Sequence, residues 1–355
     1  KKVDRAVLPP QPKWVYLGPV KLRDLTLAFV LAAAVAIPAF AADPPLVGNY
    51  SLESWDERQG LPVGRIWAIT QDTAGYLWLG TEAGLVRFDG VRFVRWPETD
   101  RSMREDFIVF SVHSSRDGAL WLGFYSGGVG RIRNGRLERY DTSTGVGNGP
   151  IEFFFEDRDG TIWAGDPDGL YHFNGTRWGK AGADMGVPPG GVSDAYEDRH
   201  GNFWISTDRG IFERRSGTGG FELVDGVPRD AEFSVDGRGG MWITDSREAF
   251  VAVGQHHAPA SGSRTTVGDT LMHDREGTLW VGTWGAGLWR VRRDPTSSRD
   301  VIQRFTVADG LSSNIIRSIF EDRDGNIWVG SESGLHRFTP RKVSPVPDID
   351  STWST

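Results

Sequence analysis

Few side chains in this sequence have types and spacings that could do chemistry. Asp-Arg-Asp-Gly stands at 157–160 and again at 322–325, and alternating carboxylates before a glycine are how a calcium loop starts. An EF-hand also needs further oxygen ligands, a glutamate at its twelfth position and a helix on each side. None of these follows, so the tetrapeptide reads as a hairpin turn between two strands. Of the seven histidines only His256 and His257 are neighbours, and adjacent residues on a strand point to opposite faces. His113, His172, His200, His273 and His336 are scattered, with no pair at the ligand spacing of a zinc site. Cysteine is absent, which removes thiolate metal sites, disulfides and thiol nucleophiles together. Gly127, Gly128 and Gly130 form a weak cluster that turn geometry explains, and no P-loop, nucleophile elbow or dinucleotide fingerprint is present. The residues therefore assign no catalytic group, no metal site and no cofactor.

Stacking is the chemistry that the aromatic residues offer. Trp78, Trp121, Trp163, Trp204, Trp242, Trp280 and Trp328 recur inside copies of one phrase, from YLWLG to NIWVG, at intervals of 43, 42, 41, 38, 38 and 48 residues. Exposed together they would make a carbohydrate-stacking surface. Each lies between aliphatic residues in mid-strand, however, and is expected to pack in the interior as a structural residue of its repeat. The aromatics that break the repeat are more informative. Tyr125 in FYSGG and Trp284 in TWGAG fall in turns where other copies carry Glu82, Asp168, Arg209 and Glu332. Together with Arg65 and Asn314 from neighbouring loops, Tyr125, Asp168, Arg209 and Trp284 make the candidate ligand-binding set.

The elements that must position these residues follow from the period, since repeats of about 40 residues mark a repeat architecture. In the last copy Ile315–Phe320, Ile327–Val329 and Leu335–Phe338 are three apolar runs separated by glycine-bearing turns, which read as antiparallel strands A, B and C. Apolar residues on both faces imply sheets covered on both sides. Asp-Gly at 117–118, 159–160 and 324–325, and Asp89-Gly90, Asn134-Gly135 and Asn174-Gly175 after strand C, are expected to form tight type I′ turns. A fourth strand D follows at Val91–Trp96, Arg136–Tyr140, Phe221–Val224 and Val301–Phe305. The fold class is therefore all-β: a seven-bladed β-propeller of four-stranded antiparallel blades. The last copy stops after strand C while 49–66 precedes the first strand A. That N-terminal segment is expected to supply the missing strand and close the ring, which removes free sheet edges. B–C and D–A loops then share one face of the ring and the short A–B and C–D turns the other. The B–C/D–A face, including ETDRSMRED at 98–106, is expected to be the variable one, where function concentrates.

Composition narrows the setting. With 40 basic and 47 acidic side chains the net charge is −7, with no basic block, so no nucleic-acid partner is expected. Lys21 and Arg23 precede an apolar run from Leu25 to Ala36, followed by Pro38 and Ala39-Phe40-Ala41. This is the pattern of a secretory signal peptide, too short to serve comfortably as a bilayer span. Residues 1–41 are read as an upstream extension plus that signal, with translation starting near Val20 and cleavage near Ala41, giving a periplasmic or secreted protein. Residues 42–48 are read as a linker, 49–340 as the propeller and 341–355 as a polar tail, with no stable membrane span beyond the signal.

The run IIRSIFEDRDGNIWVGSESGLHRF at 315–338, its looser copies, and the opening SWDERQGLPVGRIWAITQDTAGYLWLGTEAGLVRFDG at 54–90 resemble two-component regulator propeller repeats. The resemblance spans Asn49 to Pro340. It is weakest in the fourth and fifth copies, where Ser206 and Thr244 replace a glycine and Arg247-Glu248-Ala249 replaces Gly-Leu. It implies the periplasmic sensory part of a histidine kinase, hybrid kinase or diguanylate cyclase, with a small-molecule or oligosaccharide ligand, a membrane signalling protein as partner, or both. No kinase or cyclase segment occurs in these 355 residues, so no output activity is expected of them, whether they are a truncated receptor or a free-standing propeller. The phrase Asp-x-Asp-Gly-x-Ile-Trp also resembles the Asp-box of sialidase-type propellers, with different spacing and without a recognisable arginine cluster. Two alternatives stay open: a propeller enzyme, lyase or glycoside hydrolase, acting on polysaccharide, and a scaffold that binds only protein.

Overall fold

The computed structural model describes residues 46–47, 49–96, 107–198, 200–217, 219–225, 227, 233–235, 241–243, 251–252, 268–293 and 300–341. The signal segment, the loop at 98–106, His256, His257 and the tail after residue 341 lie outside the described residues. Those described are strands, turns and four single-turn 3-10 helices.

One repeat shows how the sequence makes a blade. Ile66–Gln71, Leu77–Thr81, Gly84–Phe88 and Phe93–Trp96 pair in that order as antiparallel neighbours. The second strand, Leu77–Thr81, is buried along its whole length, because sheets cover both of its faces and only the uncharged sequence LWLGT fits there. Blades are named below by this strand's tryptophan. The blades of Trp78, Trp121, Trp163, Trp204 and Trp280 have four strands each. In the blade of Trp328 the fourth strand comes from the N-terminus: Tyr50–Trp55 pairs with Leu335–Pro340, from Tyr50 opposite Pro340 to Trp55 opposite Leu335. Leu46–Val47, expected within a linker, adds a further short strand outside it.

The sequence predicts seven four-stranded blades, and this needs correction. Among the described residues six sheets have four strands or more, while the segment around Trp242 forms three short strands, Phe233–Val235, Met241–Ile243 and Val251–Ala252. This is the more degenerate of the two weak copies: Thr244 stands where five copies carry a glycine, as Ser206 does in the Trp204 copy, and Arg247-Glu248-Ala249 replaces Gly-Leu.

That glycine decides how closely blades approach. A Cβ at Gly330 would lie 2.7 Å from Ile66 Cγ2, and one at Gly80 would lie 2.8 Å from the Val109 carbonyl. Each second strand thus presses against the first strand of the next blade, and the Gly330–Ile66 contact joins the last repeat to the first. The cores are correspondingly shared between neighbours: Trp328 packs with Leu79, Val86 and Phe88, and Trp280 with Tyr50, Phe305 and Phe338. Each fully buried side chain such as Phe338 stabilises by about 1.5–3 kcal/mol.

The A–B turns are built around an aspartate six residues before the tryptophan. Asp322 Oδ1 accepts from the N–H groups of Asp324 and Asn326, both at 2.9 Å, and its Oδ2 accepts from Trp328 Nε1 at 2.7 Å. Asp72, Asp157 and Asp274 bind Trp78, Trp163 and Trp280 in the same way, at 2.7, 2.9 and 2.9 Å. The expected type I′ geometry is corrected here. In these turns only the glycine has positive φ, such as 82° at Gly325, and of the Asp-Gly and Asn-Gly pairs only Asn134-Gly135 places both residues there, at 50° and 73°. The aspartate side chain already binds the turn's N–H groups, so a longer loop with one left-handed glycine suffices. An arginine in the second place of such a turn reaches the next blade: Arg275, in Asp274-Arg275-Glu276-Gly277, donates to the carbonyls of Asp322 and Arg323 at 2.8 and 3.0 Å. Arg116, Arg158 and Arg323 repeat this contact with the turns at Asp157, Asp198 and Asp72.

Candidate functional site

The first strands line a central channel. It holds a cavity of about 740 Å3 whose walls include Trp67, Phe110, Glu152, Asp194, Phe233 and Arg317. Side chains reach it because pairing between the first two strands slips by one residue at a constant place. The slip falls between Ile66 and Ala68, Val109 and Ser111, Val192 and Asp194, Gly268 and Thr270, and Ile316 and Ser318. A bulge re-aims the residue it leaves unpaired, and here Trp67, Phe110, Ser193 and Arg317 turn toward the cavity. Glu152 takes the same place, its N–H bonding the Gly165 carbonyl at 2.9 Å.

On one side of the channel these residues form a continuous aromatic and cationic arc across four blades. Arg317 lies 3.7 Å from the ring centre of Trp284 and 4.9 Å from that of Trp67. Trp67 lies 5.0 Å from Phe110, and Phe110 meets Tyr125 edge-on at 5.6 Å. Trp284 and Tyr125, the two ends, are 54% and 53% exposed. Glu332 braces the arc, accepting from Arg317 Nε at 2.7 Å and Arg65 Nε at 2.6 Å, while Arg65 Nη1 reaches Glu82 at 2.8 Å. Burial opposes ionisation of Glu332, yet the bonds from Arg65 and Arg317 outweigh it and hold its carboxyl below the usual glutamate range.

The opposite wall is acidic. Burial pushes the Asp194 carboxyl up to about 7, and burial with the nearby Asp166 charge also raises Glu152. Asp208 joins them on the cavity lining. A cavity with stacking faces on one side and acceptors on the other suits a small polar molecule that has an apolar face. Among the described residues no group of three or more His, Asp or Glu could hold a metal ion, and no helix is long and apolar enough to cross a membrane.

Of the candidate set, Tyr125, Trp284 and Arg65 come together in or beside the arc. Arg65 is spent on two glutamates rather than free for a ligand. Asp168 and Arg209 are exposed in the B–C turns of the Trp163 and Trp204 blades, away from the arc. Asn314 acts locally: its Oδ1 accepts from Val307 N–H at 2.9 Å and its carbonyl from Gly285 and Gly287 at 3.1 and 2.9 Å. Among the described residues, four D–A loops on the face expected to vary repeat one 3-10 turn closed by a left-handed glycine, at Glu57–Gln59, Thr142–Thr144, Ala183–Met185 and Val307–Asp309. Trp78, Trp121, Trp163, Trp280 and Trp328 are buried, and Trp204 and Trp242 are half-buried. Trp67, Phe110, Glu152, Asp194 and Arg317 are absent from the sequence-based set. Four of them had a legible signal: Trp67, Phe110, Glu152 and Arg317 each stand eleven residues before their tryptophan, beside a constant aliphatic neighbour.

The fold is an all-β propeller with four-stranded antiparallel blades. Within it, residues 60–83, 186–209 and 310–333 match the two component regulator propeller family, each match running from a capped D–A turn through the channel strand to the B–C turn. No curated protein matches the sequence. Among solved structures, the extracellular domain attributed to a hybrid two component system of B. thetaiotaomicron superimposes with a TM-score of 0.67 and 18% identity, over 82% of this chain and 42% of that one. A second extracellular domain from the same organism, attributed to a one component system, gives 0.66 and 20% identity over 82% and 40%. A catalytically inactive virginiamycin B lyase from Staphylococcus aureus, with quinupristin, gives 0.62 and 14% over 82% and 99%. The chain spans about two fifths of the length of the two extracellular domains, and at these identities the likeness is one of fold.

Proposed function

We propose that this chain is the ligand-recognising propeller of a two-component-type signalling system, working in the periplasm or outside the cell after cleavage near Ala41. It takes a small molecule or oligosaccharide at the channel mouth and passes its occupancy to a membrane signalling protein or to further segments of a longer chain. In this reading residues 49–340 form one ring of seven blades, with the three-stranded sheet around Trp242 counted among them. The observation that carries the proposal is the unbroken run from Trp284 through Arg317, Trp67 and Phe110 to Tyr125. A propeller needs no such run to close; its middle, Trp67, Phe110 and Arg317, lines the cavity, and its two ends are half-exposed aromatic faces.

The test is a thermal-shift panel of neutral and acidic oligosaccharides, followed by calorimetry of any that bind, with Tyr125→Ala and Trp284→Ala alongside. Both side chains are exposed, so both variants keep the fold. Each lost stacking face weakens binding by about 0.5–1.5 kcal/mol, roughly two- to tenfold. Unchanged affinity in both variants would place the ligand elsewhere. A second reading, a lyase or hydrolase acting in the same cavity, is favoured by one observation: Asp194, pushed up to about 7 by burial, is poised for proton transfer near neutrality. Turnover of a bound oligosaccharide, lost in Asp194→Asn with binding retained, would select it.

A further inference from the structure

The blade of Trp280 departs from the blades of Trp121 and Trp328 in one cross-strand pair. In the blades of Trp121 and Trp328 an arginine stands directly across from the tryptophan, Arg131 and Arg337, with its guanidinium 5.1 and 5.3 Å from the ring centre. Across from each arginine, on the outer strand, is a glutamate: Glu138 for Arg131 and Glu53 for Arg337. The pairs are ionic, at 3.8 Å for Arg131–Glu138 and 2.6 Å for Arg337–Glu53. Arg87, the counterpart in the blade of Trp78, lies over Tyr76 instead.

In the blade of Trp280 the arginine is Arg290, held over Tyr50 and Trp280 at 4.9 and 5.8 Å. The residue across from it is Gln303. Its Nε is buried without a hydrogen bond, as are those of Arg131 and Arg337, so what sets Arg290 apart is the missing carboxylate. Arg292, two residues along the same strand face, is exposed, and neither guanidinium has an ion-pair partner among the described residues. A cavity of about 150 Å3 opens between them, lined by Asn49, Arg290, Arg292, Val301 and Gln303. A half-buried guanidinium without a counter-charge is unfavourable. Its planar fork matches the oxygens of a carboxylate, sulfate or phosphate.

We propose that this cavity binds one oxyanion group, sulfate or phosphate in class, in the place that the cross-strand glutamate holds in the blades of Trp121 and Trp328. Arg290 and Arg292 supply the charge, and the amides of Gln303 and Asn49 supply further donors. Asn49 leads into the closing strand Tyr50–Trp55, and its carbonyl accepts from Arg341 N–H at 2.9 Å. A bound anion therefore ties the Trp280 blade to the strand that completes its neighbour.

The experiment is thermal unfolding of the described protein in inorganic sulfate, inorganic phosphate or methyl phosphate, against chloride at equal ionic strength. Binding to the native state alone raises Tm saturably with anion concentration, whereas general salting-out rises without a plateau and is shared by every variant. Gln303→Glu restores the missing glutamate, so it should match or exceed the wild-type Tm in chloride and show no saturable anion response. Arg292→Gln, at an exposed position, should keep the fold and need at least tenfold more anion for the same response. Equal responses to phosphate and methyl phosphate assign the site to an esterified anion; a response to the inorganic ions alone assigns it to the free ion. A wild type with no saturable response, or a Gln303→Glu protein that still shows one, overturns the proposal.

Discussion

Replacing Asp322 by alanine probes the aspartate–tryptophan unit that recurs in the blades of Trp78, Trp163, Trp280 and Trp328. The side chain is 4% exposed, and it accepts four hydrogen bonds: two from the turn N–H groups at 2.9 Å, one from Asn326 Nδ2 at 2.8 Å and one from Trp328 Nε1 at 2.7 Å. Bonds to an ionised acceptor are worth about 1.5–3 kcal/mol each, and a buried donor left without a partner costs about 1–3 kcal/mol. The four share one carboxylate and are not additive, so the expected loss is about 3–5 kcal/mol. Over the roughly 290 residues between 49 and 340, an unfolding entropy of about 2.1 cal/mol/K per residue turns 4 kcal/mol into a fall in Tm of about 6 °C. Urea unfolding followed by circular dichroism and tryptophan fluorescence reads the free-energy loss, and thermal unfolding followed by the same signals reads the fall in Tm. Asp322→Asn should fall between wild type and alanine, since it keeps the turn acceptor but offers an amine to Trp328. The repeat also supplies the reverse perturbation. Trp121 has Ser115 at the same offset, and its Nε1 is buried without a partner. Ser115 Oγ donates to Asp117 Oδ1 at 2.5 Å and to the Ala119 carbonyl at 3.0 Å. Ser115→Asp alone should therefore destabilise by setting two carboxylates together, and only Ser115→Asp with Asp117→Asn should gain the Trp121 bond, about 1 kcal/mol. A loss under about 1 kcal/mol in Asp322→Ala would refute the claim that this aspartate holds the turn and the tryptophan together.

Two further predictions concern ring closure. Gly330→Ala should destabilise by about 1–3 kcal/mol through overpacking, because its Cβ would meet Ser318 Oγ at 2.3 Å and Ile66 Cγ2 at 2.7 Å; wild-type stability in denaturant would show that the blades can part at no cost. His336 is fully buried with Nδ1 against Ser54 at 2.9 Å and Nε2 against Ser312 at 3.0 Å, and burial lowers its pKa from 6.5 to about 4. Ser54 donates to the Gly310 carbonyl at 3.0 Å, so it accepts from the Nδ1 proton and the ring stays neutral. The folded pKa is depressed: between pH 6.5 and 4 the unfolded chain takes up a proton that the native ring refuses, and stability falls with pH over that window. Relative to His336→Gln, wild type should lose about 2 kcal/mol on going from pH 7.5 to pH 5. A stability difference that stays constant between those values would contradict the buried neutral ring.

Much of the fold was legible because it rests on local patterning. The glycine two residues after the tryptophan, the aspartate six residues before it and the spare N-terminal segment each impose a constraint readable along the chain. The Trp204 and Trp242 copies both lack that glycine. The Trp204 blade nevertheless keeps four strands and only around Trp242 do the described strands fall to three, so the substitution alone does not report the difference. The site was legible only at its ends. Tyr125 and Trp284 stood out because they break a turn pattern, whereas Trp67, Phe110 and Arg317 look like ordinary members of an inner strand. Strict alternation would place them on a covered face, and it is the bulge that turns them to the channel.

Taken alone, the sequence determined the repeat, the order of strands within it, the interior place of the tryptophans and the segment that completes the last blade. These depend on short-range spacing and on which residues tolerate burial on both faces. Only the tertiary structure decided which departures from the repeat meet. Residues as far apart as 67 and 317 become neighbours across the ring closure, Arg65 is neutralised by Glu82 and Glu332, and Arg290 is left facing a glutamine. Closing a ring brings the same position of every blade to one axis, and no separation along the chain reports that proximity.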